Sequence, residues 1–373
     1  MGEAFFGASV LVSVSLFLFF VKVVPRCLAA RVGSAVRCEE RKEHDDRAWK
    51  QLRAEGWISN LTLCFLMLSL LSAFGQWPLL LPIQTRTLWK VPLIYVADSG
   101  RSAMSLGLQY LLNRNWFKMT SEDLGLIRRR RDKWTEGVET EILTRRYGYS
   151  VKIMDAVNRR VGHLVHYGIH VLIFAYSATA HALLQTFFYL AVFRFVSHVL
   201  LEQDDCMGVV EYSGARMRDG RFGRFNLLVV SVWGGFGKAM VVMLLILKGY
   251  DREDNFHLFQ AYAILALQGV IWGDTAGEVI GSFFGKLEFD VGGFGETNKK
   301  TLEGTSAVWL ATAISSWWVL QVWQAGDAAF QGGMWLAICC TSTVATIMEI
   351  AAPRGTDNFF IVTGCIACLF FFI

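Results

Sequence analysis

The sequence predicts an all-α, polytopic integral membrane protein with about nine or ten transmembrane helices, and three observations predict it. Of 373 residues, 54% are apolar and 14% aromatic, only five are proline, and mean hydropathy is +0.38, more than a water-facing surface permits. Apolar stretches of about 20 residues, enough to cross hydrocarbon at about 1.5 Å per residue, recur along the chain. The polar segments between them gather arginine and lysine, as loops kept in the cytosol do. The formal charge of +4 is mild. It gives no support to a nucleic-acid partner and leaves the lipid bilayer as the expected one.

Each element follows in order. Ala4 to Val24 is one span; no basic segment precedes it and Glu3 argues against a transit peptide, so it reads as a retained anchor. Arg26 to Glu55 mixes basic and acidic residues as a solvated cytosolic helix does. Trp57 to Phe74 is a second span, broken by Pro78 and Pro82, and Trp89 to Leu112 a third, in which Asp98 and Arg101 share a face and are expected to pair. The polar connection Asn113 to Arg160 carries Arg128 to Arg131 and marks the cytosolic side. Leu164 to Leu200 is too long for one span, so it must turn back near Ser177 to Thr179 or form a re-entrant hairpin. The loop Glu202 to Arg224 is again arginine-rich. Spans then follow at Phe225 to Lys248, Leu258 to Trp272, Val308 to Gln324 and Phe330 to Met348, with a last one opening at Asp357. Of the eight cysteines, Cys339, Cys340, Cys365 and Cys368 lie in apolar helices and read as small buried hydrophobes.

Chemistry concentrates between Trp272 and Ala307. If Gly273 to Lys286 is helical, Asp274 and Glu278 project one turn apart from one face, where two carboxylates can share a hard cation. Gly277, Gly281 and Gly285 form a second stripe with two readings: close helix packing, or a backbone that a phosphate chain approaches. Beyond Gly292, Gly293 and Gly295, the run Asn298-Lys299-Lys300-Thr301-Leu302-Glu303-Gly304 suits a metal-bound polyphosphate, or else flanks the next helix as a positive-inside signal. Gly281 to Lys286 is one residue short of a P-loop. His163, His166 and His170 share a helix face, but a histidine-ligated metal needs further paired ligands, and His198 and His257 stand alone.

These residues resemble the CTP-dependent lipid-alcohol kinases: dolichol kinase, phytol kinase and the fungal-type diacylglycerol kinase. The resemblance rests on Gly273-Asp274, the glycine stripe with Lys286, and Lys299 to Thr305; on Arg159, Arg160 and His163, with arginine at 160 where lysine is usual; and on Glu349 ending a helix before Asp357-Asn358. It covers roughly residues 159 to 373 and divides the chain into an N-terminal membrane region, 1–155, and a catalytic membrane domain, 156–373. Phosphatidate cytidylyltransferases carry a related block, but they end in a glycine-histidine signature followed by D-R-x-D, which this chain lacks.

The resemblance implies phosphate transfer from CTP to a lipid alcohol, dolichol or polyprenol favoured over phytol or diacylglycerol, with Mg²⁺ as cofactor and CDP released. Asp274, Glu278 and Glu303 would hold the metal. Arg159, Arg160, Gly277, Gly281, Lys286, Lys299, Lys300, Thr301, Gly304 and Asn358 would bind nucleotide, and Asp274, Glu303, His163, Glu349 and Asp357 would carry the chemistry. The expected location is the endoplasmic reticulum, or a plastid membrane. A cytidylyltransferase making a CDP-lipid, and a non-enzymatic transporter or scaffold, are the alternatives.

Overall fold

The computed structural model describes residues 90–123, 138–148, 150–177, 179–188, 191, 220–292, 297–323, 330, 333–352 and 356–373. The expected spans 4–24 and 57–74, the basic segment 26–55, the arginines at 128–131 and residues 202–219 of the loop Glu202 to Arg224 lie outside the described residues, as do the side chains of Asp98 and Arg101; the last five residues of that loop, 220–224, are helical instead.

The described chain is mostly helical. Helix α1 (Lys90–Asn115) leads through a corner to α2 (Val138–Tyr147) and α3 (Ser150–Tyr176), which runs through residue 155, where the sequence divided the chain. Helix α3 stops at Tyr176 and residues 180–188 are helical again, an interruption at the expected place. Next come α4 (Gly220–Leu247), α5 (Phe256–Gln268), a π-helical segment (Gly269–Asp274) and α6 (Thr275–Phe284), the last three continuous. A hairpin of β1 (Glu288–Gly292) and β2 (Thr297–Thr301) precedes α7 (Leu302–Val322), α8 (Met334–Ala351) and α9 (Asp357–Leu369).

The hairpin corrects the all-α expectation. Its strands are antiparallel, with Asp290 opposite Lys299 and Glu288 opposite Thr301. Charges of opposite sign face each other across the ladder, which favours the pairing. Of the glycines expected in a loop, Gly292 ends β1, and Gly293 and Gly295 lie outside the described residues.

Aromatic and branched side chains fill the core where α3, α4, α5 and α9 meet: Phe174, Phe187, Trp233, Phe236, Phe259, Tyr262 and Ile361 are buried. Small residues bring the helices close. A Cβ on Gly269 would lie 2.8 Å from that of Ala345 on α8 and 2.7 Å from Ile361 Cγ2 on α9. Gly237 of α4 abuts Phe359 of α9, and eleven residues on, just past the end of α4, the Lys248 amine donates to the Ile373 carbonyl beyond the end of α9, so α4 and α9 run parallel.

Three helices wear their polarity on the inside. On α7, Thr312 and Ser316 are fully buried while Leu310, Ile314 and Trp318 are more than half exposed. On α8, Thr341, Ser342 and Glu349 are buried and Trp335, Leu336 and Ile347 exposed. On α1, Ser105, Gln109 and Asn113 are buried, whereas Met104, Leu108 and Leu111 are exposed. Water favours the opposite arrangement, since each large apolar side chain left in it forgoes about 1.5–3 kcal/mol.

By length and hydropathy, two helices among the described residues can cross a membrane, Glu253–Phe284 and Met334–Ala351. The apolar helices Val232–Leu247 and Asp357–Leu369 are shorter.

Candidate functional site

Arg159 and Arg160 sit near the middle of α3, facing the junction of the π segment and α6. Asp274 ends the π segment and Glu278 lies one turn on, so the two carboxylates share a face as the spacing predicts. What they share is a guanidinium. Arg160 donates through Nη1 to Asp274 Oδ2 at 2.6 Å and through Nη2 to Asp274 Oδ1 at 3.0 Å, while its Nε bonds Glu278 Oε2. Arg159 Nη1 donates to the other Glu278 oxygen at 3.0 Å. Arg160 and Asp274 are almost wholly buried. The planar fork matches two carboxylates as a lysine at this position does not. A π turn widens the helix and is frequent at functional sites; here it delivers Asp274.

The glycine stripe is spent on packing. A Cβ on Gly277 would lie 2.6 Å from Val308 Cγ2, one on Gly281 would meet the Thr301 hydroxyl at 2.9 Å, and one on Gly304 would meet the Gly277 carbonyl at 2.8 Å. Helix α7 therefore covers the face of α6 that Gly277 and Gly281 present, and no phosphate chain reaches it. Thr301 is the N-cap of α7, its hydroxyl accepting from the Gly304 amide at 3.1 Å. Glu303 accepts from the amides of Lys286 at 3.1 Å and Leu287 at 3.3 Å, closing the turn after α6. Thr301, Glu303 and Gly304 thus build the junction of α6, hairpin and α7. The three-carboxylate metal site of Asp274, Glu278 and Glu303 is not assembled, and among the described residues no three histidine, cysteine, aspartate or glutamate side chains converge as a metal cluster.

The lysine pair also divides. Successive residues on a strand point to opposite faces: Lys299 reaches exposed Glu288 at 3.1 Å, whereas Lys300 turns inward and pairs with buried Glu349 at the end of α8. Lys286 is exposed. The Asp357 carboxylate opens α9, where one oxygen accepts the Asn358 amide at 2.9 Å. It lies within electrostatic reach of Asp274, Arg159 and Lys300, and Glu349 within reach of Asp274 and Asp357. Four carboxylates, Asp274, Glu278, Glu349 and Asp357, therefore gather around Arg159, Arg160 and Lys300. Asn358 is buried, and among the described residues its side-chain oxygen has no hydrogen-bond partner.

His163 lies one turn beyond Arg159. Its Nε2 is 2.8 Å from the Val270 carbonyl, which only accepts, so Nε2 carries the proton and Nδ1 is the basic nitrogen. The ring packs tilted against Tyr167, and the His166 ring meets His170 edge to face, so these histidines make ring contacts with their neighbours.

Two features escaped the sequence reading. Lys238, the lone lysine in the apolar run of α4, is buried over the Tyr167 ring, its amine 4.9 Å from the centroid; an ionisable group in such a run was the signal. The second is the set of bonds from α1 to Asn158, which has no signal in sequence because it joins residues 45 and 49 apart. Compared with family models, curated proteins and solved structures, the chain has no match.

Proposed function

We propose that this chain is a multi-pass membrane enzyme that transfers the γ-phosphate of CTP to a membrane lipid alcohol. The observation that carries this reading is the Arg160–Asp274 clamp. Two signature blocks more than 100 residues apart in sequence, each recognised independently, meet in one buried ion-pair network. The inverted polarity of α1, α7 and α8 supports the multi-pass part, because lipid solvates an apolar exterior and polar groups then face the inside of the bundle. The dolichol-like run Lys299 to Thr305 makes polyprenols the favoured acceptors and the endoplasmic reticulum the favoured location.

Phosphoryl transfer asks mainly for placed charge. In the proposed reaction Arg159, Arg160 and Lys300 hold the donor's phosphates, exchanging carboxylate partners for phosphate oxygens. The lipid oxygen bonds to the γ-phosphorus, the bond from that phosphorus to the β–γ bridging oxygen breaks, and CDP leaves. The hydroxyl proton goes to Asp357, which among the described residues makes no ion pair, whereas Glu349 is taken by Lys300. Mg²⁺ belongs to the expected chemistry and would neutralise nucleotide charge. The oxygens of Asp274 and Glu278 are occupied by guanidinium, however, so the residues as arranged do not fit a metal and no step is assigned to it.

The test incubates protein in detergent with γ-labelled CTP or ATP, Mg²⁺, and dolichol, phytol or diacylglycerol. Label is expected in one lipid, from CTP, and absent with Asp274→Asn. A CDP-lipid formed from α-labelled CTP would replace the kinase with a cytidylyltransferase, and neither product would leave the transporter or scaffold.

A further inference from the structure

The N-terminal part of the chain lies outside the stretch that resembles lipid-alcohol kinases, yet it bonds to Asn158, the residue before the arginine pair. Ser105, Gln109 and Asn113, four residues apart on α1, are all at most 5% exposed. The Gln109 amide donates to the backbone carbonyl of Asn158 at 2.8 Å, and the Asn158 amide donates to Asn113 Oδ1 at 2.9 Å. Asn158 immediately precedes Arg159 and Arg160.

Helix geometry makes the placement informative. At about 100° per residue, positions 158 and 160 point about 200° apart. Helix α1 therefore grips α3 on the side opposite to the one from which Arg160 reaches Asp274 and Glu278. Gln109 holds a main-chain oxygen, so it fixes the rotation and height of the helix rather than one side chain. In a low-dielectric interior such amide bonds are retained because their polar groups have no water to turn to.

We propose that Gln109 and Asn113 are positioning residues for Arg159 and Arg160, setting α3 so that both guanidiniums meet their partners. The catalytic consequence rests on the kinase reading; the geometric claim does not. Misplacement by about 1 Å costs a reaction of this kind up to about a hundredfold. Gln109→Leu is expected to lower kcat for transfer by about tenfold or more and leave KM for the lipid unchanged.

Gln109→Glu supplies a readout that packing alone does not move. Its buried carboxyl donates to the Asn158 carbonyl when protonated, as the amide does, and repels it when ionised. Turnover should match the wild type near about pH 6 and fall towards that of Gln109→Leu near about pH 9, relative to wild type at each pH. A flat ratio overturns the proposal.

Thermal unfolding of the full chain in detergent gives the second test and needs no activity. If Gln109 acts through Arg160, the melting shifts of Gln109→Leu and Asp274→Asn are not additive: the double variant loses at most about half the sum, as coupled neighbours do. Additive shifts overturn positioning. Absence of phosphate transfer by the wild type would instead overturn the kinase reading, with the melting comparison still deciding this one.

Discussion

At the residue scale the site is governed by burial of charge. Two carboxylates and a guanidinium with almost no water around them are tolerable only when all are present, and removing one leaves the others unpaired. Arg160→Met should therefore cost about 3–5 kcal/mol, read by denaturant unfolding in detergent. Arg160→Lys keeps the charge, loses the fork and should fall between. A second hub lies at the α1–α2 corner. Burial raises the Asp123 carboxyl, but bonds from the Thr120 hydroxyl, the Tyr147 hydroxyl, the Thr120 amide and Arg146 outweigh it and bring the pKa down from 3.8 to about 2. A depressed carboxylate contributes stability above its unfolded pKa and loses it as pH falls through the folded one. The corner at 116–123 should thus loosen between about pH 4 and about pH 2. Amide exchange of those residues checks it, and Asp123→Asn should remove the dependence in that window.

At the element scale the α6–hairpin–α7 junction makes its own prediction. Gly277→Val should wedge α7 from α6, since even a Cβ there meets Val308 at 2.6 Å; overpacking of this kind costs about 1–3 kcal/mol. Thr301→Ala, which removes only the cap, should cost about 1 kcal/mol. Both are measurable as unfolding shifts, and if Gly277→Val left stability intact the packing account would fail. The junction also shows what was legible in sequence. Helical periodicity placed Asp274 and Glu278 on one face, and length arithmetic placed the break after Tyr176. That Arg160 would stand between the two acids was not legible, because the partner lies 114 residues away. Nor was the splitting of Lys299 from Lys300: adjacent lysines read as one charged pair until the backbone proves extended, whereupon they face opposite ways. Thr301, Glu303 and Gly304 looked like chemistry because hydroxyl, carboxylate and glycine serve a phosphate site and a helix cap equally well.

At the scale of the whole molecule the question is which solvent surrounds it. Span counting is a weak guide among the described residues, since α7 carries buried hydroxyls that dilute its hydropathy. Its two faces are sharper: Thr312 and Ser316 are fully buried, while Ile314 is 58% exposed. Were water the solvent, Ile314→Lys would replace an exposed apolar group by a charged one, within about 0.5 kcal/mol of neutral. With hydrocarbon outside, the same change puts a charge near the middle of a spanning helix, at about 2.5–3.5 kcal/mol. Thr312→Val, inside the bundle, removes a hydroxyl already bonded to the Val308 carbonyl at 2.7 Å and should cost at most about 1 kcal/mol in either solvent. Membrane insertion and folded yield of the two variants therefore separate the cases. A large loss for Ile314→Lys beside a small one for Thr312→Val is the membrane outcome; indifference to the lysine would mean that the apolar exterior is covered by something other than lipid.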